Sequence, residues 1–266
     1  AAQEFSYKLS IQGKSLKRIS ILKDVLVASE GAQSILDAMT TADIISATVT
    51  EKGYHLNTNG TLNLEDPAIF SDLAGNHIQT LIGFIAKSLE TRTRPITVLS
   101  CDNSIENGNA LKRAVFTFAT AASIEINWQL VSFPNSMVDR ITPATTDTIR
   151  KISGDPMAVP TEEFREWVIE DSFSGPRPNW PEVQFVRDVR PHELRKLRML
   201  NGAHSLLAYA GLALGHTYVH QAIADSTLRQ QVQNLMLEAG ATLPPSVRSQ
   251  VPHYAKALLT RFENPD

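Results

Sequence analysis

Two short apolar segments, each next to helix-like sequence, constrain the fold of this chain most. Residues 43–50 (DIISATVT) and 95–101 (PITVLSC) are compact runs rich in β-branched side chains. Residues 72–92 between them, and 106–122 after them, repeat their apolar positions at helical spacing. Short apolar strands that alternate with helices are typical of a parallel, doubly wound sheet. The sequence therefore predicts an α/β fold of the Rossmann-like type.

The rest of the chain adds further elements and changes character near residue 190. Residues 14–22 alternate like a strand, and 31–39 have helical spacing. A proline-rich stretch, 150–190, contains two strand-like pieces, EWVIED and VQFVRDV. Beyond it the pattern is helical, over residues 193–213, 217–239 and 247–262. We therefore predict an α/β domain over residues 1–186 and a mainly α-helical domain over residues 187–266.

The composition is that of a soluble globular protein, with 42% hydrophobic and 20% charged residues. The net charge of −3 gives no reason to expect nucleic acid or an anionic membrane as a partner. A single cysteine, Cys101, excludes an internal disulfide and favours a reducing compartment. Residues 201–224 contain no Asp, Glu, Lys or Arg, but their properly apolar part, about ten residues, is too short to cross a bilayer. With no secretory signal at the N-terminus, we expect a cytoplasmic protein.

Polar residues follow both predicted strands. Thr50 and Glu51 come after the first strand, and Asp102 and Asn103 come after the second. In open α/β sheets, ligands bind outside the carboxyl ends of the strands, so we expect these residues near a ligand. A GxGxxG phosphate loop, which a dinucleotide-binding fold normally carries in its first βα turn, does not occur in the sequence. Either the fold is of another kind, or the chain begins after that turn.

The first predicted helix of the second domain carries an unusual set of polar residues. At about 100° per residue, Lys196, Glu193, His204 and Asn201 share one broad side of a single helix. Apolar leucines fall within or beside the same arc. A polar cluster within an apolar surface is costly unless its members are paired or used. The pattern therefore indicates a functional surface on this helix.

Five motifs connect the chain with a known family. In order they are TVTEKGY (48–54), VLSCDNSIENG (98–108), FPNSMVDRITPAT (133–145), WVIED (167–171) and KLRMLNGAHSLLAYAG (196–211). Together they closely resemble the long-chain polyol dehydrogenases, the family of mannitol 2-dehydrogenase and fructuronate (mannonate) reductase. The resemblance implies an N-terminal nucleotide-binding domain and a C-terminal, mainly helical domain. It also implies hydride transfer between NAD or NADP and C2 of a sugar alcohol or sugar acid, without a metal.

The chain departs from the family pattern at both ends. Family members begin with a strand and a glycine-rich loop, and they continue past the position of RFENPD into a basic segment near the substrate. We therefore expect the natural protein to be longer at both ends. We also expect these 266 residues alone neither to bind NAD(H) nor to oxidise a polyol, because the missing loop would contact the pyrophosphate of the cofactor.

The resemblance implies specific roles for three residues of the second domain. The family motif K-x-x-x-x-N-x-x-H matches Lys196, Asn201 and His204. Lys196 would be the general base. A free lysine amine has a pKa of about 10.4, and burial lowers this pKa, so that the amine can be neutral and accept a proton. Asn201, together with Asn103, would donate N–H groups to the alkoxide-like oxygen without titrating. His204 would bind a substrate hydroxyl. The alternatives are a solvent-exposed lysine for Lys196 and a turn or cap residue for Asn103.

The remaining candidate residues have more open interpretations. Glu193 either relays the proton of the lysine to solvent or forms an ion pair one turn away. Val138 and Asp139 match the substrate-contacting loop of the family, although Asp139 could also pair with the following arginine. Thr50, Glu51, Asp102 and Asn103 would lie near the cofactor, and the alternative for Asp102 is a capping residue. The pair His216 and His220 has no carboxylate at the position that a zinc motif needs, so we expect it to be structural and predict no metal site.

The sequence of one loop narrows the range of expected substrates. FPNSMVDRITPAT looks more like the mannitol branch, which favours a polyol such as mannitol over mannonate, with a fructuronate or tagaturonate reductase as the alternative. A second alternative, a non-catalytic sensor of nucleotide or sugar, has no need for a base such as Lys196. The choice between NAD and NADP cannot be read from the sequence. We expect a small-molecule polyol or sugar acid as the partner, and a monomer or weak oligomer.

Overall fold

A computed structural model of the protein describes residues 5–75 and 77–265, and of Glu51 only the backbone. It divides into two compact units, Ala1–Arg187 and Asp188–Asp266. Strands and helices alternate through much of the first unit, whereas the second is helical. The predicted fold class, a Rossmann-like α/β domain followed by a mainly helical domain, is confirmed.

The elements of the first unit are as follows. The strands are β1 (Tyr7–Ile11), β2 (Ser15–Ile19), β3 (Ile44–Ala47), β4 (Ile96–Ser100), β5 (Val131–Ser132), β6 (Ser136–Asp139), β7 (Val159–Thr161), β8 (Glu166–Glu170) and β9 (Val183–Val186). The helices are α1 (Ala32–Thr41), α2 (Pro67–Leu73), α3 (Leu81–Glu90), α4 (Asn107–Ala121) and α5 (Asp147–Ser153). Short 3₁₀ turns occupy Ala28–Glu30, Glu51–Tyr54 and Trp128–Leu130.

Three parallel strands form the sheet that the apolar segments predicted. They pair in the order β3-β4-β5, with Ile44 of β3 opposite Thr97 of β4. The central strand β4 is buried at every position, ITVLS. Helices α3 and α4 contribute fully buried side chains to the core that contains this sheet, among them Ile82, Ile85, Leu111 and Phe118.

Two smaller sheets accompany the parallel one. In the order β2-β1-β7, β1 is antiparallel to β2 and parallel to β7. In the order β6-β8-β9, β6 is antiparallel to β8, and β8 is parallel to β9. The strand predicted within residues 14–22 is therefore present as β2, but in an antiparallel hairpin outside the parallel sheet. The two strand-like pieces of the proline-rich stretch are β8 and β9.

The single helix predicted over residues 72–92 is wrong in its first part, because α2 ends at Leu73 and α3 begins at Leu81. The buried carboxylate of Asp72 accepts hydrogen bonds from Gln79 N at 2.9 Å, from Thr80 N at 3.0 Å and from Thr80 Oγ1 at 2.6 Å. Thr80 in turn accepts from Gly83 N and caps α3. Gly75, with a φ of 73°, lies in the left-handed region just past α2. Side-chain hydrogen bonds, which periodicity does not reveal, set this break.

The second unit consists of α6 (Arg190–Arg195), a π-helical turn (Lys196–Asn201), α7 (Gly202–Ala213), α8 (Val219–Ala224), α9 (Ser226–Ala241), α10 (Pro245–Arg248) and α11 (Val251–Phe262). The helix predicted over residues 217–239 is divided by Asp225, whose carboxylate caps α9 by accepting from Thr227 N and Leu228 N. Within the described ranges 5–75 and 77–265, no helix combines the length and the apolar character that crossing a membrane requires.

The packing of Asp72 against α3 yields a stability prediction. A Cβ on Gly83 would collide with the buried Asp72 carboxylate, which three hydrogen bonds hold in place. Gly83→Ala should therefore destabilise the first unit by about 1–3 kcal/mol, the usual cost of overpacking. Urea unfolding at equilibrium measures the change.

Gly202→Ala is the matched control in the second unit. There the nearest heavy atom, the Leu197 carbonyl oxygen, is 3.9 Å from the added Cβ. The backbone of Gly202 is already helical, with φ −61° and ψ −48°. Because alanine loses less chain entropy on folding, we expect this change to stabilise by about 0.4–1 kcal/mol. Equal stabilisation by both substitutions would show that Asp72 does not restrict Gly83.

Candidate active site

The carboxyl end of β4 is where the first group of predicted residues lies. Cys101 N donates to Ala47 O at 2.8 Å, so the pairing of β3 with β4 continues one residue past the strand. Asp102 follows and is 8% exposed, with Oδ1 accepting from Ser104 N at 3.1 Å. Its other oxygen, Oδ2, is buried without a hydrogen-bond partner among the described residues. Asn103 is exposed on the loop between β4 and α4.

A buried tyrosine connects the end of β3 with the end of β4. Tyr54, 2% exposed, lies 2.5 Å from Ser100 through the two hydroxyl oxygens. Burial raises the pKa of Tyr54 above its ordinary value, and the nearby Asp102 carboxylate adds to this, although the Ser100 hydrogen bond opposes it. Tyr54 closes the 3₁₀ turn that follows Thr50, which is exposed. The side chain of Glu51, also predicted near the cofactor, lies outside the described residues.

Val138 and Asp139 lie on β6 beside a cavity of about 420 Å³. Val138 pairs with Trp167 of β8 across the sheet. The indole of Trp167 stacks on that of Trp180, with ring centroids 5.1 Å apart, and both rings line the cavity. Asp139 is 4% exposed and also contributes to the lining. The cavity therefore has an apolar aromatic wall together with charged groups, and its size suits a small molecule.

The second group of predicted residues lies on the helical run α6–α7. Glu193 is on α6 and is 7% exposed, and Lys196 begins the π-helical turn and is half-buried. Asn201 ends that turn and is exposed, and His204 follows on the first turn of α7. The ring of His204, also exposed, lies 6.4 Å from that of Phe262.

The π-helical turn changes how Lys196 and Asn201 are related. Gly202 N donates to Leu197 O, five residues earlier, rather than to the residue four earlier as in an α-helix. The constant advance of about 100° per residue, assumed from the sequence, therefore does not hold between these two residues. Because the turn holds an extra residue, Asn201 follows Lys196 by one wide turn, which favours the same face for both. Such turns are frequent at functional sites.

The predicted residues thus lie in three places: after β3 and β4, on β6, and on the helical run α6–α7. Asp102 and Asn103 lie together at the end of β4, with Thr50 after β3. Within residues 5–75 and 77–265, no three His, Cys, Asp or Glu residues lie together in a way that could hold a metal ion. His220 stacks on the ring of Tyr218, at 5.6 Å between centroids.

The sequence reading missed one residue at the end of β4. Asn107 is fully buried and hydrogen-bonds to Ser100, Asp102 and Ser136. It lies within the same motif as Asn103, and a buried position for it was not foreseen. Asn135, part of the loop used to judge the substrate, is also buried and hydrogen-bonds to Glu170 and Asn109 N. These hydrogen bonds hold the loop to β8 and α4.

Comparison with models of known families shows to which family the chain belongs. The model of the mannitol dehydrogenase Rossmann domain matches residues 2–182, and that of the mannitol dehydrogenase C-terminal domain matches residues 188–266. The chain therefore belongs to the mannitol dehydrogenase family, as its motifs predicted.

Individual relatives lie in more than one branch of the family. The chain is 38% identical to a mannitol 2-dehydrogenase of Phaeosphaeria nodorum, over 96% of the chain and 49% of the relative. It is 39% identical to a D-mannonate oxidoreductase of Escherichia coli, over 99% of the chain and 59% of the relative. Among solved structures, the mannitol 2-dehydrogenase of Pseudomonas fluorescens, in a ternary complex with NAD and D-mannitol, matches with a TM-score of 0.85 and 33% identity, over 99% of the chain and 58% of that protein. The chain thus spans about half the length of the relatives it matches.

The thiol beside the candidate site should be unreactive. Burial, together with the neighbouring Asp102 carboxylate, raises the pKa of Cys101 to about 11. Since only the thiolate is nucleophilic, iodoacetamide should alkylate the folded protein at pH 8 roughly 10²-fold more slowly than the urea-unfolded protein, whose thiol titrates near about 8.5. The rate in the folded protein should rise as the pH approaches the raised pKa.

The chain contains one cysteine, so incorporated label reports Cys101 alone. Mass spectrometry of the intact protein follows the reaction. Equal alkylation rates for folded and unfolded protein at pH 8 would contradict the raised pKa.

Proposed function

We propose that the protein carrying this chain is an NAD(P)-dependent secondary-alcohol dehydrogenase. It moves a hydride between the nicotinamide and C2 of a sugar alcohol such as mannitol, without a metal. The observation that carries the proposal is the π-helical turn that begins at Lys196 and ends at Asn201, in a chain that matches both mannitol dehydrogenase domains. The turn places an amine and a carboxamide one wide turn apart on one helix. In alcohol oxidation, an amine can serve as the general base and a carboxamide as the donor to the alkoxide-like oxygen.

The residues of the second unit divide the work of removing the proton. Lys196 takes the proton of the reacting hydroxyl as the general base. Asn201 donates an N–H to the oxygen as it becomes alkoxide-like, and a carboxamide can do so at any pH because it does not titrate. Glu193, buried one turn before Lys196, passes the proton on toward solvent. His204 contacts a further hydroxyl of the substrate.

The first unit supplies the cofactor and substrate contacts. Thr50, Glu51, Asp102 and Asn103 would hold NAD or NADP at the carboxyl ends of β3 and β4, where ligands of such sheets bind. Oδ2 of Asp102, buried and without a hydrogen-bond partner by distance and angle among the described residues, fits this, because it can accept a hydrogen bond from a hydroxyl or amide of the cofactor. When bound, the nicotinamide supplies the hydride chemistry. Asn103 is the second donor to the reacting oxygen.

A polyol is the proposed substrate class. The cavity beside Val138 and Asp139 has charged groups for hydroxyls and indole faces for C–H groups. Overall similarity does not choose between the branches, because the identities to a mannitol dehydrogenase and to a mannonate oxidoreductase are 38% and 39%. The choice of a polyol rests on the loop FPNSMVDRITPAT. A mannonate or tagaturonate reductase is the second candidate, supported by the D-mannonate oxidoreductase relative.

A turnover screen of the full-length protein tests this proposal. With NAD and NADP, we expect oxidation of mannitol, and reduction of fructose in reverse, to exceed that of arabinitol and sorbitol, and reduction of fructuronate to be slow. Dialysis against a strong chelator should leave the rate unchanged, because the proposed base is an amine. Fast reduction of fructuronate would favour the second candidate. Binding of cofactor or sugar without any turnover would favour a sensor.

Replacing the proposed base tests its role. Lys196→Ala should lower kcat by about 10²–10⁴-fold, the usual contribution of a general base, and leave cofactor affinity nearly unchanged. Lys256→Ala on α11 is the control, since it removes an exposed lysine from the same unit and should leave kcat unchanged. Stopped-flow or steady-state rates across the alkaline pH range give the comparison. A Lys196→Ala variant with near-normal rates at every pH would exclude this lysine as the base.

A further inference from the structure

Two segments of the first unit meet at the side chain of Asn107. One runs from the end of β4 at Ser100 to the loop residue Asp102, and the other is the start of β6 at Ser136. Asn107 is the first residue of α4 and is 0% exposed. It belongs to none of the roles that the proposed function assigns.

The amide nitrogen of Asn107 faces three backbone carbonyl groups. Nδ2 donates to Ser136 O at 2.8 Å, to Ser100 O at 3.2 Å and to Asp102 O at 3.3 Å. Two N–H groups therefore serve three acceptors. The last of these acceptors belongs to the residue directly before Asn103, so the loop that carries Asn103 is tied to α4 by this side chain.

The amide oxygen of Asn107 faces backbone donors. Oδ1 accepts from Gly108 N at 2.8 Å and from Ser136 N at 2.9 Å. Ser136 thus both donates to and accepts from the same carboxamide, and its hydroxyl donates to Ser100 O at 2.5 Å. This pattern of donors and acceptors fits a single orientation of the carboxamide. The carboxamide of Asn107 thereby holds the start of β6, two residues before Val138, against the end of β4.

The backbone around Asn107 is shaped for this contact. Glu106, with a φ of 52°, adopts the left-handed conformation, which is unfavourable for a residue with a side chain and persists where the surroundings determine it. A Cβ on Gly108 would collide with the carbonyl oxygens of Phe133 and Pro134. The first turn of α4 therefore touches the segment that leads into β6, and glycine makes this approach possible.

We propose that Asn107 is a positioning residue, which sets Asn103 and the strand of Val138 and Asp139 in one fixed geometry. This inference rests on the proposed function only where it assigns a catalytic effect to Asn103. Donors to a developing oxyanion are effective when they are held before the reaction begins. An exposed asparagine on a loop gains such order from the buried residue that binds the neighbouring carbonyl.

Two substitutions separate the two sides of the carboxamide. Asn107→Asp keeps volume and the Oδ1 acceptor but replaces the donor by an oxygen that faces three carbonyl oxygens. We expect it to lower kcat for the polyol roughly 10- to 100-fold, since a misplacement of about 1 Å can cost about 10²-fold. Asn107→Ala also removes the acceptor of Gly108 N and Ser136 N, so these amides should exchange their hydrogens faster than in Asn107→Asp.

A double-mutant cycle shows whether Asn107 acts through Asn103. Asn103→Ala alone should cost about 10²–10³-fold in kcat. If Asn107 works by positioning that donor, Asn103→Ala/Asn107→Asp should be clearly less impaired than the product of the two single losses, because one of the groups to be positioned is gone. Multiplication of the two losses would overturn the proposal.

The control is Asp72→Asn, which disturbs another buried hydrogen-bond set of the same unit. It should lower the melting temperature but leave the kcat of the folded protein unchanged, so loss of stability alone does not reproduce the Asn107 effect. Hydrogen exchange of segments 100–108 and 131–139 should accelerate in both Asn107 variants and not in Asp72→Asn. Unchanged exchange there overturns the proposal even if the unsubstituted protein oxidises no polyol, an outcome that would count against the proposed function alone.

Discussion

The buried carbonyl oxygen at the end of β4 needs a hydrogen-bond donor, and this need organises much of the first unit. A backbone carbonyl removed from water must find a hydrogen-bond donor, and Ser100 O is the carbonyl of the last residue of β4. Asn107 Nδ2 and the hydroxyl of Ser136 both donate to it. Satisfying this one oxygen brings together the central strand, the first turn of α4 and the first residue of β6. The surfaces at which the cofactor and substrate are proposed to bind are built from these same segments.

The second unit solves a related problem by a different means. Lys196 and Asn201 are five residues apart in the sequence. In a regular α-helix this is clearly more than one turn of about 3.6 residues, so the two side chains would point in different directions. The π-helical turn lengthens the turn instead of adding another element. Gly202 N still bonds within the helix, to Leu197 O, so the change in side-chain direction needs no loop. A helix is more rigid than a loop, and that rigidity would benefit the proposed base and oxyanion donor.

Local patterns predicted those parts of the fold that depend on neighbouring residues in the chain. The strands β3 and β4 were foreseen because each is a compact apolar run, and α4 because its apolar positions repeat at helical spacing. The break between α2 and α3 was not, because it depends on the Asp72 carboxylate and the residues near Thr80 that it binds. The π-helical turn was missed for a similar reason, since periodicity assumes a constant advance per residue. The candidate residues were found through motifs, whereas Asn107 is recognised only by its burial and contacts.

Asn103 and Asn107 lie four residues apart in one motif. They are the same type of residue, but their different surroundings suit them to different proposed roles. Asn103 is exposed, and Asn107 is completely buried among backbone groups. A carboxamide suits both positions because it offers a donor and an acceptor and carries no charge at any pH. A buried carboxylate at position 107 would face three carbonyl oxygens, and its hydrogen bonding would change with its protonation. With neutral amides, the hydrogen bonding of Asn103 and Asn107 does not change over the pH range in which the proposed lysine base would gain and lose its proton.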